Sequence, residues 1–186
     1  KAFVSLLDKA GVDYSVFTEN LSTGSVEYDL MGGVQEVKDV ASACAKALNS
    51  YGAKRIVVLN PSDARMLNQE YTTWELKLNA EVCTATSYVE ELVEQGKLHV
   101  QKSAGAVTYH DPARLARDLQ ETEPARKLIE ALGYTVKEMW QSKTLTRCTG
   151  GEALSSYAPE IIEKTAAWRF CRFRQKVWNR DSYPPE

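Results

Sequence analysis

The sequence predicts an α/β fold of parallel-strand βα units arranged in two similar halves. Short β-branched runs, KRIVVLN (54–60), AVTYH (106–110) and YTVKEM (134–139), alternate with helical stretches. Strands alternating with helices of about ten or more residues are the signature of parallel βα units. Two segments repeat one pattern of strand, polar cap, proline and arginine-bearing helix: KRIVVLNPSDARML and GAVTYHDPARLAR. Of the 186 residues, 44% are hydrophobic and 26% charged, which is ordinary for a globular chain able to bury a core without staples.

Residues 2–10 read as a helix closed by Gly11, and DYSVF (13–17) as a strand. LSTGSVEYDLMGG (21–33) reads as a polar, glycine-containing loop. In 34–52 the apolar residues Val37, Val40, Ala41, Cys44, Ala47, Leu48 and Tyr51 recur in steps of three and four, one helical stripe. After strand 54–60, Asn60 is placed as N-cap and Pro61 at the first helical position of 61–71. TSYVEELVEQGK (86–97) is an amphipathic helix that Thr86 or Ser87 can cap. After strand 106–110, Asp111 and Pro112 suit a helix start. Helix 123–133 ends at Gly133, strand 134–139 follows, and 159–178 is the longest helix. The expected halves are 1–97 and 98–186, the second cut short at its C-terminal end.

A net charge of -2 leaves no electrostatic footprint for nucleic acid. The local excess of Arg169, Arg172, Arg174, Lys176 and Arg180 reads as a solvated helix face. No apolar stretch approaches about 18 residues, so no transmembrane helix is expected. The chain opens inside a helix without a signal-peptide pattern and stops at YPPE; a trimmed, cytoplasmic chain is the expectation. Cys44, Cys83, Cys148 and Cys171 lie far apart, so reduced thiols are expected rather than a disulfide framework.

In open α/β sheets ligands bind beyond the carboxyl ends of strands, where Asn60–Asp63 and His110–Arg114 fall. His110 could act as ligand or acid/base, or be a satisfied core imidazole. Cys148 lies in a loop beside Arg147 and before Thr149, Gly150 and Gly151. A neighbouring cation can lower a thiol pKa, and the glycines can form an anion-binding turn. Cys44 reads as a small core residue, Cys83 as core or boundary before a helix, and Cys171 as packing beside Trp168. The aromatics Trp168, Phe170, Phe173 and Trp178 interleave with arginines, as core packing or a docking face.

AVTYHDPARLAR resembles the VTYHDPCHLGR motif of the cysteine-rich, CCG-domain iron–sulfur oxidoreductases. That family includes the heterodisulfide reductase B and D subunits, the anaerobic glycerol-3-phosphate dehydrogenase C subunit, and the glycolate-oxidase and lactate-utilisation iron–sulfur proteins. LLDKAGVDYSVF resembles the family's lead-in to its first Cys-Cys-Gly. KALNSYGAKRIVVLNPSDARMLNQEY resembles the segment NxYGxKxIVTxCPxCxxxLxxEY. TSYVEELVEQGKL resembles the next helix, and TLTRCTGGEAL the second Cys-Cys-Gly loop. The resemblance implies a 4Fe–4S cofactor held by cysteines, electron transfer, and partner subunits of an electron-transfer complex.

The departures fall on the ligands. Ser22, Thr23 and Gly24 stand where the family has Cys-Cys-Gly; Asn60, Pro61, Ser62 and Asp63 stand for Cys-Pro-x-Cys. Ala113 follows His-Asp-Pro in place of cysteine, and of the second Cys-Cys only Cys148 keeps its sulfur, after Arg147. YPPE lacks the preceding strand of a final Cys-Pro-x-Cys. Iron–sulfur clusters take cysteine thiolates, and Asn60 and Asp63 are hard oxygen donors. The expectation is therefore a cofactor-free, degenerate domain with Asn60, Asp63 and Ala113 as vacated ligand positions, serving a structural or docking role. The alternative is an oxidoreductase or thiol enzyme rebuilt around Cys148, His110 and Arg147. A third, weaker arrangement has a partner chain supply the missing ligands.

Overall fold

The computed structural model describes residues 2–148 and 158–177, with 169–177 as backbone only. The expected glycine turn at Thr149–Gly151, the roles of Cys171 and its arginine and aromatic neighbours, and YPPE lie outside the described residues and side chains. The chain divides into two compact units, Lys1–Gln101 with Glu123–Leu128, and Lys102–Thr122 with Ile129–Glu186.

In the first unit, α1 (Ala2–Lys9), α2 (Ser25–Met31) and α3 (Gln35–Ser50) precede β1 (Arg55–Val58). A continuous helical run follows: α4 (Pro61–Arg65), a π-type turn (Met66–Glu70) and α5 (Tyr71–Thr73). β2 (Glu81–Thr84) leads into α6 (Ala85–Glu94). β1 and β2 pair in parallel, Arg55 opposite Glu81 and Val58 opposite Thr84. Parallel strands need a crossover, and the run from Pro61 to Thr73 supplies it. One core joins Val37, Ala41 and Ala45 of α3 to Met66, Leu67 and Tyr71. A smaller one joins Leu7, Leu92 and Leu98. Cys44 is 1% exposed, the core residue the helical stripe predicts.

Four local expectations change. DYSVF forms no strand: Tyr14 and Val16 are exposed. Side-chain contacts hold that segment instead, with Tyr14 donating to Asp8 and Phe17 against Tyr51 at 5.4 Å. The expected loop 21–33 contains α2, which starts after Gly24 at φ +85°, where a Cβ would lie 3.2 Å from Met66 Cε; only glycine suits that left-handed, crowded position. β2, absent from the sequence reading, places Cys83 within a strand. The cap of α6 is Thr84, whose Oγ1 accepts the Ser87 N–H at 3.2 Å, rather than Thr86 or Ser87.

The second unit pairs β3 (Gly105–Val107) with β4 (Tyr134–Val136), again in parallel. Both strands are shorter than expected. A π-type turn (Arg114–Asp118) follows His-Asp-Pro where a regular helix was expected, and α7 (Pro124–Ala131) belongs to the first unit up to Leu128. A 3₁₀ turn (Lys143–Leu145) and α8 (Pro159–Val177) complete the elements. Gly133, at φ +86°, has the Ser103 carbonyl where a Cβ would sit. Leu115, Ala116 and Met139 are buried in this unit. Mixed helices and parallel strands make the fold α/β, as the sequence predicts.

Candidate functional site

In the first unit the loop after β1 meets the loop before α2. The Asn60 side chain accepts the Ser62 N–H at 3.0 Å, and Pro61 opens α4, as cap chemistry dictates. That cap sets Asp63 at the third helical position, with its carboxylate near the positive end of the helix dipole. Asp63 Oδ1 accepts the hydroxyls of Thr23 and Ser25, each at 2.6 Å. Tyr71, fully buried, donates its phenol to the Thr23 carbonyl at 3.0 Å. Ser22 Oγ donates to Glu27 at 2.9 Å and accepts the Gly24 N–H at 3.0 Å.

Burial raises the pKa of both the Cys44 thiol and the Tyr71 phenol, which neighbour each other and Asp63. Both stay protonated, so neither is a nucleophile or ligand at neutral pH. The sequence reading placed Asn60 and Asp63 here; it missed Ser25 and Tyr71. Tyr71 does lie within the family-like NQEY stretch, which is the signal that could have marked it.

In the second unit the His-Asp-Pro segment meets the loop before Cys148. His110 Nε2 lies 3.1 Å from the Arg147 carbonyl. Asp111 is 1% exposed and its Oδ2 accepts the Lys143 N–H at 2.7 Å. The Thr146 hydroxyl donates to the Asp111 carbonyl at 2.9 Å. Asp111 thus ties its own strand end to the turn that carries Arg147. Ala113, half-buried, leads into the π-type turn.

The Arg147 guanidinium lies 5.9 Å from the Trp140 ring and 5.6 Å from the Trp168 ring, and the two indoles meet edge to face at 5.8 Å. Cys148 is exposed. His110 and Arg147 therefore meet through the arginine main chain, with the guanidinium turned to the indoles. Trp140 is the site residue that sequence reasoning missed; Trp168 is one of the aromatics it grouped with the arginines of the last helix.

The donors at Ser22, Thr23, Asn60 and Asp63 do not fit an iron–sulfur cluster. They are hard oxygens, whereas such clusters are held by thiolates. Thr23 and Asp63 are also bonded to each other. Among the described residues no three His, Cys, Asp or Glu side chains converge to hold a metal ion, and no helix is long and apolar enough to cross a membrane.

No family model and no solved structure matches the chain. Three curated proteins do. The chain is 32% identical over 152 residues to an EtfAB:quinone oxidoreductase of Syntrophomonas wolfei, covering 81% of this chain and 21% of that protein. It is 31% identical over 156 residues to a probable membrane-anchored ferredoxin of Chromohalobacter salexigens, covering 81% and 23%. It is 28% identical over 176 residues to the D subunit of the dihydromethanophenazine:CoB–CoM heterodisulfide reductase of Methanosarcina acetivorans, covering 88% and 42%. The chain thus spans between a fifth and two fifths of the length of these relatives. Their similarity to it points to an iron–sulfur oxidoreductase-like family.

Proposed function

We propose that this chain is a degenerate CCG-type domain of a heterodisulfide-reductase-like oxidoreductase, acting in the cytoplasm as a cofactor-free structural or docking part of an electron-transfer complex. Its halves, 1–97 and 98–186, are two versions of one unit, and its partners are other subunits of that complex. The observation that carries this reading is the bond between Thr23 and Asp63. At two positions where the resembling family places thiolates, a hydroxyl and a carboxylate satisfy each other. Asn60 is likewise engaged as a helix cap, and Ala113 offers no donor. The test is anaerobic purification followed by iron and sulfide assay. Substoichiometric iron without a visible charge-transfer band is expected; stoichiometric iron with such a band overturns the reading.

A second reading, a thiol enzyme or oxidoreductase built around Cys148, His110 and Arg147, is favoured by the exposure of Cys148 beside Arg147, whose carbonyl meets His110. Iodoacetamide alkylation across pH tests it. A Cys148 reacting faster than an ordinary thiol supports it, and one reacting no faster refutes it.

A further inference from the structure

A cleft of about 290 Å³ in the second unit is lined by Arg147, Cys148, Lys164, Thr165 and Trp168. It brings together two cations, an indole and a thiol. Among the described residues neither Arg147 nor Lys164 has a carboxylate partner. Two like charges converging on one small cleft repel each other, and a bound anion removes that cost.

The arginine is also held in place. Its guanidinium rests near both indoles, and its carbonyl is engaged by His110. A stacked guanidinium keeps its planar fork of donors for a carboxylate or sulfonate. Thr165 donates its hydroxyl to the Ile161 carbonyl at 2.7 Å, within its own helix, so its oxygen can only accept, and the charged donors lining the cleft are Arg147 and Lys164. Trp168, 38% exposed, offers an apolar face to a flat ligand body.

We infer that this cleft binds a small organic anion, a carboxylate or sulfonate on a flat apolar body. The head group lies between Arg147 and Lys164, the body rests on Trp168, and the bound ligand covers Cys148. The volume sits at the lower edge of the range of small-molecule sites, about 300–1,000 Å³. This site goes beyond the docking role and does not depend on cluster loss.

Saturation-transfer NMR on the intact chain tests it, with benzoate, its neutral isostere benzamide and inorganic phosphate as probes. Benzoate is expected to bind saturably, with benzamide about tenfold weaker or more, because charge-assisted hydrogen bonds carry the recognition. Phosphate, lacking the apolar body, is expected to bind more weakly than benzoate. Lys164→Gln, a change at an exposed side chain, is expected to weaken benzoate about tenfold with an unchanged circular dichroism spectrum. Benzoate is also expected to slow iodoacetamide labelling of Cys148. Equal binding of benzoate and benzamide, phosphate tighter than benzoate, no binding, or an unaffected Lys164→Gln variant each overturns the inference. The iron assay is unaffected by any of these results, so the two proposals fail separately.

Discussion

Replacing Asp63 with alanine removes the acceptor that joins two loops 40 residues apart in sequence. Hydrogen bonds to a charged group contribute about 1.5–3 kcal/mol each. Asp63 accepts two, at 2.6 Å, in a half-buried site, so the lower end applies, giving about 3 kcal/mol for the pair. Its place in the first turn of α4 adds about 0.5 kcal/mol through the helix dipole. Ser25, 6% exposed, is left with an unsatisfied hydroxyl, which costs about another 1 kcal/mol.

Asp63→Ala is therefore expected to destabilise the chain by about 4–5 kcal/mol, and Asp63→Asn, which keeps an acceptor oxygen, by about half of that. Urea unfolding followed by far-ultraviolet circular dichroism reads the difference. With a slope of about 2 kcal/mol/M the alanine variant moves its midpoint by about 2–2.5 M. A double-mutant cycle with Thr23→Ala isolates the pair, with a coupling of about 1 kcal/mol or more expected. An Asp63→Ala variant within about 0.5 kcal/mol of the parent, or a coupling near zero, refutes the view that this carboxylate holds the loops.

Other outcomes follow from the same geometry. Burial raises the folded-state pKa of Cys44 and Tyr71, so the folded chain holds protons that the unfolded chain releases. Their contribution is full below about pH 8.5, the ordinary thiol value, and falls as pH rises from there; the urea midpoint is expected to decline above that pH, and to decline less in Cys44→Ala/Tyr71→Phe. Tyr71→Phe removes the bond to the Thr23 carbonyl and leaves that oxygen unsatisfied, at a cost of about 1–2 kcal/mol in the same assay; no change would show that the bond is absent in solution. Gly133→Ala puts a methyl against the Ser103 carbonyl at a positive φ, a loss of about 2 kcal/mol or more, and a neutral result would contradict that backbone path. Brief native alkylation followed by mass spectrometry is expected to label exposed Cys148 and spare buried Cys44; equal labelling would refute the burial of Cys44.

Much of the frame was legible because its signals are local. Asn60 and Pro61 announce a helix start through cap chemistry that involves only neighbouring residues. The stripe through Val37, Ala41 and Cys44 follows from helical periodicity alone, and these side chains are buried. β2 escaped because EVCT is short and polar at both ends, and its pairing with β1, 26 residues earlier, makes it a strand. DYSVF misled for the converse reason: its residues suit a strand, but no neighbour accepts its ladder.

Sequence by itself determined the alternation of strand and helix, the Asn60–Pro61 helix start and the chemistry present at each loop, because each depends on one residue and its near neighbours. Tertiary structure alone decided that Thr23 and Ser25 would share the carboxylate of Asp63, and that Arg147 would turn to Trp140 and Trp168 rather than to His110. Hydrogen bonds and ring contacts act over a few ångströms of space, and only chain folding brings partners so distant in sequence within that reach.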